Sequence, residues 1–161
     1  SCTEGLRQAV ESDVPAAGQR ALRLVDAVDF AAERILPRLS GHAKLESLAL
    51  HPTCSSTRLG LNDALETVAG AVGDALVGID PGAVADRVEV PENWGCCAFA
   101  GDRGMLHPEL TASATAKQAA EVVDMGAAAH ASCNRTCELG MTRATGAQYR
   151  HVLELLEEVT R

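Results

Sequence analysis

Aromatic side chains are nearly missing from this chain: Phe30, Trp94, Phe99 and Tyr149 are the only four among 161 residues. A core without them has to be built from Ala, Val and Leu. Small side chains let helices lie close against a sheet, which suits a layered α/β domain better than an aromatic-rich β-sandwich. Basic charge is also short, with 14 Lys and Arg against 22 Asp and Glu and a net charge of −8. That balance excludes the cationic surface with which nucleic-acid binders displace counterions. No apolar run approaches the roughly 18 residues of a membrane-spanning helix. The N-terminus shows no basic, apolar, then small-residue leader. A Ser–His–Asp order, a phosphate-binding Gly loop and a paired-carboxylate motif are missing too. These absences lead to the expectation of a soluble, acidic, cytoplasmic protein.

What is present is ordinary in bulk. Apolar residues make up 47% and charged residues 22%, and the length suits one compact domain over residues 1–161. The chain opens on Ser1-Cys2-Thr3 without an initiator Met, so the expectation is a fragment of a longer polypeptide. Cysteine is the exception. Six are present: Cys2, Cys54, Cys96, Cys97, Cys133 and Cys137. A three-disulfide framework is disfavoured, because a chain of this size can bury a proper core and the adjacent Cys96 and Cys97 would bond to each other only with strain. Metal or redox chemistry is the better use for them.

Periodicity organises the rest. Leu6, Val10 and Val14 recur every four residues before Pro15. A second helix is expected from about residue 18, with Val25, Val28, Ala32, Ile35 and Leu39 on one face, its last turn weakened by Pro37. Leu48-Ala49-Leu50 reads as a strand covered on both faces. His51-Pro52-Thr53-Cys54-Ser55-Ser56 reads as a loop in which Ser55 or Ser56 caps the next helix. That helix carries Leu61, Leu65, Val68, Val72 and Leu76, followed by a loop over residues 78–86. Val88-Glu89-Val90 is a second strand, stopped by Pro91, and a Gly-rich stretch follows from Gly95 to Gly104. Pro108 suits the first position of a helix reaching Met125. The apolar piece from Ala127 to Ala131 occupies the place of a third strand. A short helix follows to about Arg143, Gly146 breaks it, and residues 149–161 form a closing helix with Val152, Leu155, Leu156 and Val159 inward.

Strands alternating with helices in this way predict a small parallel sheet flanked by helices, with its cysteine loops at the carboxyl ends of the strands. That edge is where open α/β sheets bind ligands. Cys54 follows the first strand, Cys96 and Cys97 the second, and Cys133 and Cys137 the third. Converging thiolates need a cation to offset their repulsion, which points to an iron–sulfur cluster or to zinc. Adjacent cysteines make a poor zinc knuckle, and spacing therefore favours iron–sulfur. A thiol–disulfide module using Cys96 with Cys97, or Cys133 with Cys137, is a third possibility. His51 either serves such a site or is a strand-end histidine bonded to backbone. Asp102 and Arg103 either meet an anion or a partner or form a turn held by their own ion pair. Asn134 and Arg135 are expected to shape the next turn, and Trp94 to lie over the cysteine loop.

The order of a lone Cys, then Cys-Cys, then a close pair resembles the cysteine-rich CCG domain of heterodisulfide reductases and of glycolate and lactate oxidation systems. The stretches His51-Pro52-Thr53-Cys54-Ser55-Ser56-Thr57, Gly95-Cys96-Cys97-Ala98-Phe99-Ala100-Gly101-Asp102-Arg103-Gly104 and Asn134-Arg135-Thr136-Cys137-Glu138-Leu139-Gly140-Met141-Thr142-Arg143 are similar to the C-terminal part of long FAD-linked oxidases. Pro108-Glu109-Leu110-Thr111-Ala112-Ser113-Ala114-Thr115 fits the same pattern. The resemblance implies an electron-transfer domain of a D-lactate (D-2-hydroxyacid) dehydrogenase or glycolate oxidase, with Cys54, Cys96, Cys97, Cys133 and Cys137 holding a 4Fe-4S cluster. It also implies upstream FAD and ferredoxin-type domains that this chain lacks, and a tandem CCG region of which this is the second half. Cys2 then corresponds to the last cysteine of the first motif. The implied acceptor is a quinone, cytochrome or carrier, reached by an enzyme lying in the cytoplasm or against the inner face of the membrane. Two departures stand out. Ala98 takes the place of the Gly in Cys-Cys-Gly, and the last pair is spaced Cys133-x-x-x-Cys137 with Asn134 where a Cys would stand.

Overall fold

Four short parallel strands carry the structure, a computed structural model that describes residues 2–12, 24–40, 45–74 and 88–161. They are β1 (Leu48–His51), β2 (Val88–Glu89), β3 (Ala129–Ser132) and β4 (Tyr149–His151). Their order across the sheet is β2-β1-β3-β4. Every neighbouring pair is parallel, with Leu48 opposite both Val88 and Ala129, and His130 opposite Tyr149. The α/β class expected from the alternation is what forms. The helices are α1 (Cys2–Ser12), α2 (Ala27–Phe30), α3 (Cys54–Leu59), α4 (Asn62–Asp74), α5 (Arg103–Leu106), α6 (Pro108–Met125), α7 (Arg135–Thr145) and α8 (Val152–Thr160).

Period-two alternation along β1 assigns each side chain to a layer. Leu48 and Leu50 enter a large cluster with Val28, Leu65, Val68, Val72, Val152, Leu155 and Val159. Ala49 enters a smaller one with Val122, Met141 and Tyr149. The sheet therefore lies between α2, α4 and α8 on one face and α6 and α7 on the other. Each fully buried Leu or Val of this kind contributes about 1.5–3 kcal/mol of transfer free energy. All four residues of β1 are buried, as a central strand covered on both faces requires.

Five features differ from their sequence reading. Cys54–Leu59 is a separate helix where the sequence suggests a loop reaching Ser56, and Arg103–Leu106 is helical at the end of the Gly-rich stretch. The second helix is not one α-helix: α2 passes into a π segment, Ala31–Ile35, and then a 3-10 turn, Leu36–Arg38. Pro37 lies in that last turn and cannot donate to a regular ladder. The cap of α3 is Thr53 rather than Ser55 or Ser56. Its hydroxyl accepts from the Ser56 amide while the Ser56 hydroxyl accepts from the Thr53 amide, both at 2.9 Å, which closes a capping box. Residues 149–151 are a strand and only Val152 onward is helical. Three residues are too few to show a period, and Tyr149–His151 becomes a strand because β3 lies alongside to pair with it. Leu76, the loop over residues 78–86 and the start of the second helix lie outside the described residues. No helix among the described residues is long and apolar enough to cross a membrane.

The strand order places a switch point between β1 and β3. From β1 the chain moves outward to β2, then returns across β1 to β3 on the other side. The loops leaving β1 and β3 thus part from each other at the carboxyl edge, the position where open α/β sheets bind ligands.

Candidate metal centre

This carboxyl edge is where the cysteines arrive. His51 is the last residue of β1. Pro52 and the Thr53 cap follow it, so Cys54 opens α3 and faces solvent. On the other side of the switch point β3 ends at Ser132, whose hydroxyl donates to the His51 carbonyl at 3.0 Å. Cys133 follows. Asn134 then caps α7 by accepting from the Thr136 amide at 3.1 Å, as the sequence suggested, and Cys137 sits buried in the first turn of that helix.

The loop after β2 is held in an unusual shape. Ala98 and Ala100 have φ of 53° and 41°, and Gly101 has 73°. A side chain in this left-handed region costs about 1–2 kcal/mol, so the surroundings must impose it. They do so through Phe99, which is fully buried. Its ring fills the space left by Gly104 and touches the Gly140 position. The Arg143 guanidinium lies over the ring at 5.5 Å and donates to the Gly104 carbonyl at 3.1 Å. Gly104 N–H in turn donates to the Phe99 carbonyl at 2.8 Å. With Phe99 anchored, Cys97 is carried inward to a small cluster with Phe99 and Cys137, against which Leu139 packs. Its neighbour Cys96 is left exposed.

Cys97 Sγ and Cys137 Sγ stand 3.1 Å apart in a buried hydrogen bond. A nitrogen of His51 joins them: one donor atom from each of His51, Cys97 and Cys137 lies within 4.8 Å of the others, and all three residues are buried. The contact moves the two thiols in opposite directions, Cys97 toward the thiolate and Cys137 toward the thiol. The Cys137 thiol, then His51 and the Phe99 amide stabilise a Cys97 thiolate against its burial and pull its pKa down to about 4. The Cys97 charge, with burial, pushes Cys137 far up.

The remaining cysteines surround this pair. Cys54 is raised by burial and then by Cys96 and Cys97. Cys137 feels the charges of Cys54 and Cys133 as well as that of Cys97. Cys133 is raised by burial; its sulfur lies 3.7 Å from Thr53 Oγ1, and it packs on the larger core cluster. All five cysteines expected at the strand ends are therefore within electrostatic reach of at least one other. Among the described residues, the buried thiol contact is that of Cys97 with Cys137. Between Asp102 and Arg103 there is no ion pair among the described residues, and both are exposed.

Two residues escaped the sequence reading. Gln118 is 1% exposed and its amide nitrogen lies 2.8 Å from His51 Nδ1. A signal for it exists: Thr111, Thr115, Gln118 and Val122 recur at helical spacing on the buried face of α6, and a Gln in such a stripe needs a polar partner. The second is Gly104, read in sequence only as the end of the Gly-rich stretch, whose missing side chain makes room for Phe99.

The donor set fits a metal. His51 Nε2 is buried and finds no hydrogen-bond partner among the described residues, which is costly for an imidazole nitrogen without a ligand. Beside it are two sulfurs 3.1 Å apart, one of them held toward the thiolate. Two thiolates on one ion at about 2.3 Å each stand about 3.8 Å apart, so little outward movement of the Cys97 and Cys137 sulfurs would admit one. Fold and site together define a parallel α/β domain whose buried His51, Cys97 and Cys137 form a donor group at the switch point that could hold a metal ion. No family model, curated protein or solved structure matches this chain.

Proposed function

We propose that this chain is an iron–sulfur electron-transfer domain of an FAD-linked oxidoreductase acting on a D-2-hydroxy acid such as D-lactate or glycolate. The observation that carries the metal is the meeting of Cys97, Cys137 and His51 at the switch point, with Cys54, Cys96 and Cys133 around them. The resemblance to the CCG region of such oxidases supports the flavin partner, the hydroxy-acid substrate and a quinone, cytochrome or carrier as acceptor. Cys54, Cys96, Cys97, Cys133 and Cys137 are the residues that would hold the centre. When bound, it supplies one-electron storage between a two-electron flavin and its acceptor.

The protein's own contribution is to shape the site. Phe99 and Leu139 exclude water from the inner sulfurs. Exposed Cys54 and Cys96 mark the side from which a redox partner can approach. The Phe99 amide and His51 stabilise negative charge on Cys97, and hydrogen bonds to sulfur tune the potential of such centres.

A second reading has its own support. A compact set of one imidazole and two thiolates is a donor combination that zinc accepts, which would make the domain structural or a docking unit. Anaerobic reconstitution with iron and sulfide separates the two. Stoichiometric iron and sulfide, with broad absorbance near about 400 nm, lost on Cys97→Ser or Cys137→Ser, is the expected result. No cluster, with one tightly held zinc per chain, overturns the iron–sulfur reading in favour of the structural one.

A further inference from the structure

His51 has one nitrogen turned to Gln118 and another left without a partner. Gln118 Nε2 lies 2.8 Å from His51 Nδ1, in a pair whose two residues are buried. With the amide nitrogen donating, Nδ1 is the acceptor and the ring proton sits on Nε2. Nε2 is the buried atom that finds no partner of its own among the described residues. In that tautomer it has no lone pair for a metal. A half-turn of the Gln118 amide exchanges its nitrogen and oxygen at almost no steric cost, since the two ends have nearly the same shape. The amide oxygen would then accept an Nδ1 proton and leave the Nε2 lone pair free.

We propose that Gln118 is the positioning residue that turns His51 into a ligand of the metal centre, by accepting its Nδ1 proton and directing the Nε2 lone pair toward Cys97 and Cys137. This rests on the metal-centre reading above and adds to it a nitrogen ligand and the residue that orients it. In the metal-free protein the same pair holds the other tautomer, with Nε2–H available to the Cys97 thiolate. Metal binding and rotation of one buried amide are thereby linked. The placement of Gln118 on α6 and of His51 at the end of β1 makes the link rigid, because both elements are fixed by the sheet and its covering helices. Outer partners that orient a metal-bound histidine are commonly worth about 10–100-fold in affinity.

The test uses the whole chain with ¹⁵N-labelled histidine and zinc as a diamagnetic probe. In long-range ¹H–¹⁵N spectra, the His51 proton is expected on Nε2 without metal and on Nδ1 with one equivalent of zinc, with Nε2 shifted by coordination. Zinc affinity, read by competition with a chromophoric chelator, is expected to fall about 10–100-fold in Gln118→Met and to stay within about threefold in Gln118→Glu, which keeps an acceptor at the same place. If Gln118→Met does not fold, the spectra of the wild-type chain decide the question alone. A loaded protein that keeps its proton on Nε2, or binds zinc equally well as Gln118→Met, overturns the role of Gln118 while leaving the metal centre intact. A wild-type chain that takes up neither zinc nor iron overturns the metal centre itself, and this proposal with it.

Discussion

The ring of Phe99 occupies the space that a side chain at residue 104 would need: a Cβ built on Gly104 lies 2.5 Å from Phe99 Cδ2. The ring is fully buried and adjoins the strained turn that delivers Cys97, so the two residues together hold the inner half of the candidate metal centre. Gly104→Ala is expected to lower stability by about 1–3 kcal/mol, the usual cost of overpacking a closed site. It should also speed alkylation of Cys97, as followed by mass spectrometry. Gly140→Ala, whose new Cβ would meet the same ring at 3.4 Å, should cost less. Equal urea midpoints for Gly104→Ala and wild type would mean that Phe99 does not anchor the loop.

Ala98 stands at φ 53°, where a glycine is conformationally free and an alanine is not. Ala98→Gly should therefore stabilise the chain by about 0.5–1 kcal/mol, the relief of left-handed strain less the greater entropy that Gly loses on folding. Gly101→Ala, at φ 73°, should do the reverse by a similar amount. Urea midpoints of the two variants moving in the same direction would contradict this reading of the loop.

The opposite shifts of Cys97 and Cys137 make metal-free stability depend on pH in two opposite ways. Cys97 has a folded pKa of about 4 against an ordinary thiol value of 9.0. Its contribution is complete above pH 9 and is lost as pH falls toward 4. Cys137 has its folded pKa raised above the same value, so its contribution is present below pH 9 and is lost as pH rises further. The pair should favour the folded state most near pH 9. The measurement is the urea midpoint of wild type minus that of Cys97→Ser from pH 5 to pH 10. A difference that stays flat across this range would refute this coupling of the two thiols.

Glu138 is buried, with a carboxylate oxygen 2.9 Å from Arg135 Nη1 and its other oxygen without a partner among the described residues. Removing a partner from a buried charge is costly, although exposure of the Arg135 guanidinium reduces the effect through solvent screening. Arg135→Ala should cost about 1–2 kcal/mol. The double change Arg135→Ala with Glu138→Gln should recover most of it, because no unpaired charge remains. Thermal unfolding of the four proteins in the cycle measures this directly. A double variant as unstable as the sum of the single ones would show the two side chains to be uncoupled.

Much of this arrangement is legible in the residues alone. Alternating strands and helices predict a parallel sheet, and a parallel sheet gathers its strand-end loops on one edge. That alone collects Cys54, Cys96, Cys97, Cys133 and Cys137 in one region. Pro108 and Gly126 bound α6 through opposite preferences, one for the first helical position and the other for the left-handed cap. The cap of α3 is ambiguous in sequence because Thr53, Ser55 and Ser56 all suit the role. Only the reciprocal bonding of Thr53 and Ser56 decides between them.

Sequence by itself determined the class of fold, the faces of its helices and the edge to which the cysteines belong. Each of these follows from local spacing: the period of apolar residues sets which side is buried, and strand direction sets where loops emerge. Tertiary structure alone decided that Cys97 meets Cys137 across 40 residues, rather than pairing with adjacent Cys96 or leaving Cys137 to Cys133. It alone brought Gln118 to His51 across 67 residues and turned residues 149–151 into a strand. Those outcomes depend on register and packing, which are sums over contacts distant in the chain, and no local period encodes them.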